Sequence, residues 1–279
     1  MSILDRDLNE CQTFGEISEW RRAKYEIDKK SGDDYTGILT NIYKEPTHFI
    51  YELLQNADDA KATNVKFVLS SDKIEFFHDG SKEFSLSDII SITGVGNSSK
   101  DAEDTTSIGK FGVGFKAVFA VTDKPLIYST TYNFQIENLS VPSAIQEREL
   151  EGFTTVFQLN FKHDGRDTLF RRNESLLRSI SPETILFLKN ICKVDITVND
   201  EMLDTISVKR TESEQSFSRV KYILDDKSIE LLKFKADGCS IVYQLENGVL
   251  VPISGSKISV FFPTIVDSNL PFLVDAPFQ

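Results

Sequence analysis

Apolar residues recur at helical spacing in the first part of this chain and at alternate positions in the last part. Between residues 16 and 30, Ile17, Trp20, Lys24 and Ile27 lie near one another at helical spacing with charges over the rest, which predicts an amphipathic helix. A Gly-Asp-Asp-Tyr-Thr-Gly run (32–37) reads as a loop. Residues 46–60 return to the helical pattern, with Pro46 in the first turn, where its missing N–H costs nothing. Residues 65–69 and 73–78 are expected strands, joined as a hairpin by Ser70-Ser71-Asp72, and 86–92 is an expected short helix. Residues 94–114 are rich in Gly, Ser, Thr, Asp and Lys and too long for an ordinary connection, so the expectation there is a functional segment.

Further along, 115–121 reads as helical, and strands are expected over 126–131, over 133–137 and within 152–161. Two helices follow, the second opened by Ser181-Pro182-Glu183, where Ser can cap and Pro can occupy the first turn. A strand at 192–198 comes next. Beyond 200 the text turns β-rich, at 206–210, 217–224, 231–235, 240–246 and 258–262. The expected organisation is therefore one domain over 1–200 and a smaller β-rich segment over 201–279, the start of a second domain. The ending Asp275-Ala276-Pro277-Phe278-Gln279 has no polar tail, which leads us to expect a longer protein.

Composition narrows the function classes. With 279 residues, 40% hydrophobic and 11% aromatic, the chain can build a proper core, which excludes whole-chain disorder. Thirty-one Lys plus Arg against 43 Asp plus Glu give a net charge of −12, which argues against a constitutive nucleic-acid or anionic-membrane coat but leaves room for a local basic patch. Cys11, Cys192 and Cys239 have no C-x-x-C spacing, so neither a disulfide framework nor a zinc site is expected. No run approaches the roughly 20 apolar residues of a membrane helix, and the N-terminus lacks a signal-peptide layout. The expectation is a soluble, cytoplasmic protein without a membrane partner.

Candidate chemistry concentrates in four places. On the helix containing Glu52-Leu53-Leu54-Gln55-Asn56-Ala57-Asp58-Asp59-Ala60, Asn56 and Asp59 fall about 40° and about 20° to either side of Glu52, beside an apolar face. Carboxylate, amide oxygen and carboxylate in a row suit a hard divalent cation with retained waters, and the same carboxylate could take a proton from an attacking water. A solvated helix face is the plain alternative. The run Ile108-Gly109-Lys110-Phe111-Gly112-Val113-Gly114-Phe115 has three glycines that let backbone N–H groups approach phosphate oxygens ahead of a helix start. It is not a P-loop, because Phe115 stands where Lys would be needed. In Phe76-Phe77-His78-Asp79-Gly80, an acceptor at a strand end beside a glycine turn can receive an adenine amine, although an ordinary Asp-Gly turn reads the same way. In Gly152-Phe153-Thr154-Thr155-Val156-Phe157, a threonine hydroxyl at a strand start could bond the base; alone it is β-propensity.

In this order and at these intervals, the four pieces resemble the GHKL superfamily of ATPases over about residues 45–200, and the wording is closest to the sacsin-type, chaperone-like branch. The resemblance implies an α+β fold of Bergerat type, a mixed, mostly antiparallel sheet covered by helices. It implies ATP and Mg²⁺ as cofactors, with Glu52 as general base, Asn56 as Mg²⁺ ligand and Asp59 beside them. Gly109, Lys110, Phe111, Gly112, Val113, Gly114 and Phe115 would wrap the triphosphate, and Lys116 could touch it from the helix start. Asn97 to Ser107, with Asn97 and Ser98 at its start, would form a lid, and Thr154 would match an adenine-side threonine. The family's adenine aspartate stands two residues before the glycine, where this chain has His78; Asp79 beside Gly80 is the candidate here, with His78 or a water as substitutes. A homodimer through this domain is implied as one route of action, and a protein client or nucleic acid would be met by regions outside this chain. Lys233, Lys235 and Lys257 are candidates for a γ-phosphate lysine. The competing function is a nucleotide-gated scaffold with little or no hydrolysis. A dinucleotide oxidoreductase built on Gly112, Gly114 and Ala117 lacks the acidic residue that would bind the ribose.

Overall fold

The structure, a computed structural model, describes residues 3–32, 48–94, 114–211, 217–224, 227–236, 238–260 and 262–276. Helix α1 (Phe14–Ser31) is opened by Thr13, whose side chain accepts from Glu16 N, and closed by Gly32 in the left-handed region. Helix α2 (His48–Asp59) precedes the antiparallel hairpin β1 (Asn64–Ser70) and β2 (Lys73–His78). Helix α3 (Leu86–Ile92) starts in a capping box between Ser85 and Asp88. A 3₁₀ helix over Gly114–Ala120 stands where a helix is expected. It leads into β3 (Leu126–Ser129), β4 (Asn133–Glu137), β5 (Val141–Ala144) and β6 (Thr155–Asn160). The expected strand over 126–131 stops at Ser129, because Ser129 N donates to Tyr132 O and its hydroxyl accepts from Tyr132 N to close a turn. Helices α4 (Arg166–Arg178) and α5 (Pro182–Leu186) lead to β7 (Lys193–Val198).

The β-rich remainder runs through β8 (Glu201–Thr211), β9 (Phe217–Leu224), β10 (Lys227–Ala236), β11 (Cys239–Glu246), β12 (Val249–Val251), β13 (Lys257–Val260), β14 (Phe262–Asp267) and β15 (Leu273–Asp275). Among the described residues all strands join one sheet, ordered β14-β13-β15-β11-β10-β9-β8-β7-β1-β2-β6-β3-β4-β5, with β12 on β11. Pairing is antiparallel except at β1·β7 and β13·β15. The architecture is thus mixed α+β, an open and mostly antiparallel sheet with several helices. Position 200 lies in the Asn199-Asp200 turn, whose two residues have φ of 49° and 65°, and the ladder continues across it from β7 to β8.

The helices pack on one face of the sheet. Ile17 of α1, Leu53 of α2, Phe115 and Val118 of the 3₁₀ helix, Leu177 of α4 and Ile185 of α5 share one apolar cluster with Phe67, Phe76 and Phe157 of the strands. Val208, Val220 and Val242, beyond residue 200, belong to the same cluster. On the opposite face Phe77, Tyr128 and Val156 form a smaller cluster covered by Ile145, Leu150 and Phe153. Arg148 lies over the Phe77 and Tyr128 rings while its guanidinium bonds Glu75 and Gln158, closing that cluster from solvent. No helix among the described residues is long and apolar enough to cross a membrane.

Candidate functional site

A pocket of about 210 Å³ opens on the helix-bearing face, between α2 and α3 and above the ends of β2 and β6. Asn56, Asp59 and Ala60 of α2 form one wall. Asp88, Ser91 and Ile92 of α3, with Lys82, Glu83 and Phe84 before it, form the other. His78, Thr155 and Phe157 make the floor, and Phe115 closes the inner end. Strand alternation explains the floor. Ile74 and Phe76 belong to the helix-side cluster, so His78, two residues on, shares their face. Thr155 sits directly opposite His78 in the β2·β6 ladder, on the same side.

His78 is 4% exposed, and burial, opposed by the Asp79 charge, pushes its pKa down to about 4. Its Nδ1 accepts from Gly80 N at 3.2 Å, which leaves the proton of the neutral ring on Nε2. Gly80 has no room for a side chain: a Cβ would stand 2.8 Å from Ala60 O and 2.9 Å from His78 Nδ1. Gly80 therefore acts behind the pocket, holding the imidazole.

Asp79 does not line the pocket. Its carboxylate accepts from Thr63 N, Asn64 N, Thr63 Oγ1 and Asn64 Nδ2, at 2.6–2.9 Å, and so fastens the start of β1. Burial alone would raise its pKa, but the bonds from Asn64 and Thr63 outweigh it and hold the carboxyl below its ordinary value. Thr154 also serves the backbone, its hydroxyl donating to Gly80 O at 2.8 Å. The neighbouring Thr155 is the threonine that meets the pocket.

On α2, Asn56 lines the pocket, and its side-chain amide makes no hydrogen bond within the described residues. Asp59 lines it too; burial and the adjacent Asp58 raise its carboxyl above the ordinary value, against Lys189 and Lys82. Glu52 lies one turn deeper, packed on Gly114. A Cβ on Gly114 would fall 2.0 Å from Glu52 Oε2, so this backbone approach admits glycine alone unless the carboxylate moves. Asp58 is structural: its carboxylate accepts from Lys189 N, Asn190 N and Ile191 N, tying α2 to the segment before β7.

Lys116 is turned into the core. It is 1% exposed, and Nζ donates to Ile92 O at 2.8 Å and to Leu139 O, carbonyls at the end of α3 and in the β4–β5 turn. Burial and the Arg21 charge lower its pKa to about 7. Lys233 is directed at Leu186 O and the Phe187 ring, and Lys257 pairs with Asp267. Neither lines the pocket; nor does Lys235. Asn97, Ser98, Gly109, Lys110, Phe111, Gly112 and Val113 lie outside the described residues.

Sequence reasoning missed Thr155, Lys82, Asp88 and Ser91 as pocket residues. Only Thr155 carried a signal, through its alternation with Phe157. The pocket can enclose a flat ring between apolar walls, present polar atoms to its edge from the floor, and place an amide oxygen and carboxylates at one side.

Residues 33–138 match the Sacsin domain family. The chain is similar to Protein NO VEIN of Arabidopsis thaliana, 28% identical over 195 residues that cover 60% of this chain and 7% of that protein. It is also similar to human Sacsin, 35% identical over 108 residues that cover 32% of this chain and 2% of that protein. The chain thus contains a sacsin-like region and spans only a small part of the relatives it matches.

Proposed function

We propose that this chain is a Mg²⁺-dependent nucleotide-binding module of GHKL type, its sheet and helices forming a Bergerat-type sandwich, and that it hydrolyses a nucleoside triphosphate slowly. ATP is the nucleotide of the superfamily its motifs resemble. The observation that carries this reading is the convergence of separate motifs on one pocket. The stripe of α2, the end of β2 and the start of β6 meet there, while Glu52 rests against the last glycine of the Gly109–Gly114 run.

The residues present fit the ligand. Phe84, Phe115 and Phe157 offer apolar surface for a base, and on the floor His78 Nε2 and the Thr155 hydroxyl bond no protein group among the described residues. No group of three or more His, Cys, Asp or Glu that could hold a metal occurs among the described residues. Mg²⁺ keeps its waters and is held by one or two protein oxygens plus substrate phosphates, so it needs no such group. Asn56 would hold the ion through its amide oxygen, and bound Mg²⁺ would neutralise developing charge on the phosphates. Glu52 would take the proton of the attacking water at its carboxylate, and Gly114 would keep that carboxylate in place. The cycle would drive rearrangement in a larger cytoplasmic protein, with dimerisation of this domain as one route and a chaperone-like, nucleic-acid-processing or defence output.

Phosphate release from purified protein tests this. Glu52→Ala should keep nucleotide binding and lose turnover by about 10²-fold or more. Gly114→Ala should do the same, since its methyl displaces the Glu52 carboxylate. Asn56→Ala should lose Mg²⁺-dependent binding. Unchanged hydrolysis in Glu52→Ala would remove the catalytic assignment, and binding without turnover in the unmutated chain would favour a nucleotide-gated scaffold.

A further inference from the structure

We propose that His78 reads the base of the bound nucleotide as a hydrogen-bond donor, so that the pocket takes 6-oxo purine nucleotides at least as tightly as 6-amino ones. This rests on the nucleotide reading above and specifies its base. The floor has two polar side chains, His78 and Thr155, 4% and 3% exposed, and neither Nε2 of the one nor the hydroxyl of the other bonds any protein group among the described residues.

The donor character of His78 is fixed by its surroundings. Gly80 N–H occupies the Nδ1 lone pair, so the neutral ring must present Nε2–H. Moving the proton to Nδ1, which would make Nε2 an acceptor, sets an N–H against the glycine N–H, and flipping the ring puts Cδ2 there and Cε1 towards the pocket, so either change abandons that bond. A carboxylate at this place would accept from an exocyclic amine; an N–H cannot. The carboxylate next in sequence, Asp79, is held by four donors from Thr63 and Asn64 and does not reach the pocket. A 6-oxo purine offers its O6 to Nε2–H and its N1–H to the Thr155 hydroxyl, which can accept. An adenine places an amine donor beside a donor unless it slides to use N1. A buried donor facing another donor is the arrangement that binding energies penalise most.

The test is calorimetric titration of the full chain, in Mg²⁺, with ADP, IDP and purine riboside 5′-diphosphate, which lacks any exocyclic group. IDP should bind at least as tightly as ADP, and the purine riboside diphosphate within about threefold of ADP, because no amine contact is lost. His78→Asp should shift the IDP-to-ADP preference towards ADP by about tenfold or more. Tighter binding of ADP than IDP to the unmutated chain, or an unchanged preference in folded His78→Asp, overturns the proposal. If His78→Asp does not fold, the purine riboside comparison decides: a loss well beyond threefold means that an amine is being read. Failure of all three nucleotides to bind overturns the nucleotide reading itself, and this one with it.

Discussion

Lys116 shows how far a single residue can depart from what its type suggests. Lysines are seldom fully buried, and one at the start of a helix after a glycine run reads naturally as a phosphate contact. Here it stitches the end of α3 to the β4–β5 turn through two carbonyls. Its lowered pKa has a consequence for stability. Between about pH 7 and 9 the unfolded chain keeps this lysine protonated while the folded chain increasingly does not, so the unfolded state binds more protons and stability rises with pH. The rise is at most about 1.4 kcal/mol per pH unit. Lys116→Met should flatten it, as read from denaturant midpoints across that range; an unaltered slope would mean that the amine is charged and satisfied by its carbonyls. Nothing in the local sequence revealed this burial, because the carbonyls that receive Nζ lie 24 and 23 residues away.

At the level of elements, much was legible. The capped helix α1, the β1–β2 hairpin and α3 follow from periodicity and turn residues, and they form within a few residues of the expected limits. Strands β5, β12 and β15, four residues or fewer, carried too little pattern to be read. The pocket floor was legible in principle. Period-two alternation from Ile74 and Phe76 selects His78, and alternation from Phe157 selects Thr155, whereas motif comparison favoured Asp79 and Thr154, each one residue away and facing the backbone. The helix α2 holds its stripe in place through Asp58, which receives three backbone N–H groups from residues 189–191. Asp58→Ala would leave those donors, one buried and two part-buried, without their acceptor and should destabilise the fold by about 3 kcal/mol, measured by denaturant unfolding. A change under about 0.5 kcal/mol would show that water replaces the carboxylate.

For the whole molecule, the change of texture near residue 200 gives an expected boundary there; the ladder crosses that point through a two-residue turn, and the apolar cluster holds residues from Leu8 to Leu273. A sheet and core shared in this way should unfold together. Thermal or denaturant unfolding followed by both tryptophan fluorescence, from Trp20 on α1, and far-ultraviolet circular dichroism is expected to give coincident single transitions. Separate transitions would mean that the β-rich part is an independent unit. The sequence pattern could not reveal this continuity, since strand order depends on pairings between distant segments, such as parallel β1 with β7, which local periodicity does not encode.

The floor of the pocket belongs to the interior of that sheet. His78 is paired to Val65 on one side and to Thr155 on the other, so the backbone beneath both polar atoms is fixed by ladders before any ligand arrives. The conformational entropy of this part of the site is surrendered during folding and not during binding. Recognition of the proposed nucleotide at the floor would therefore be preorganised. On the proposed nucleotide reading, differences between one base and another should be expressed mainly as heats of binding and dissociation rates, with little contribution from ordering of the floor itself.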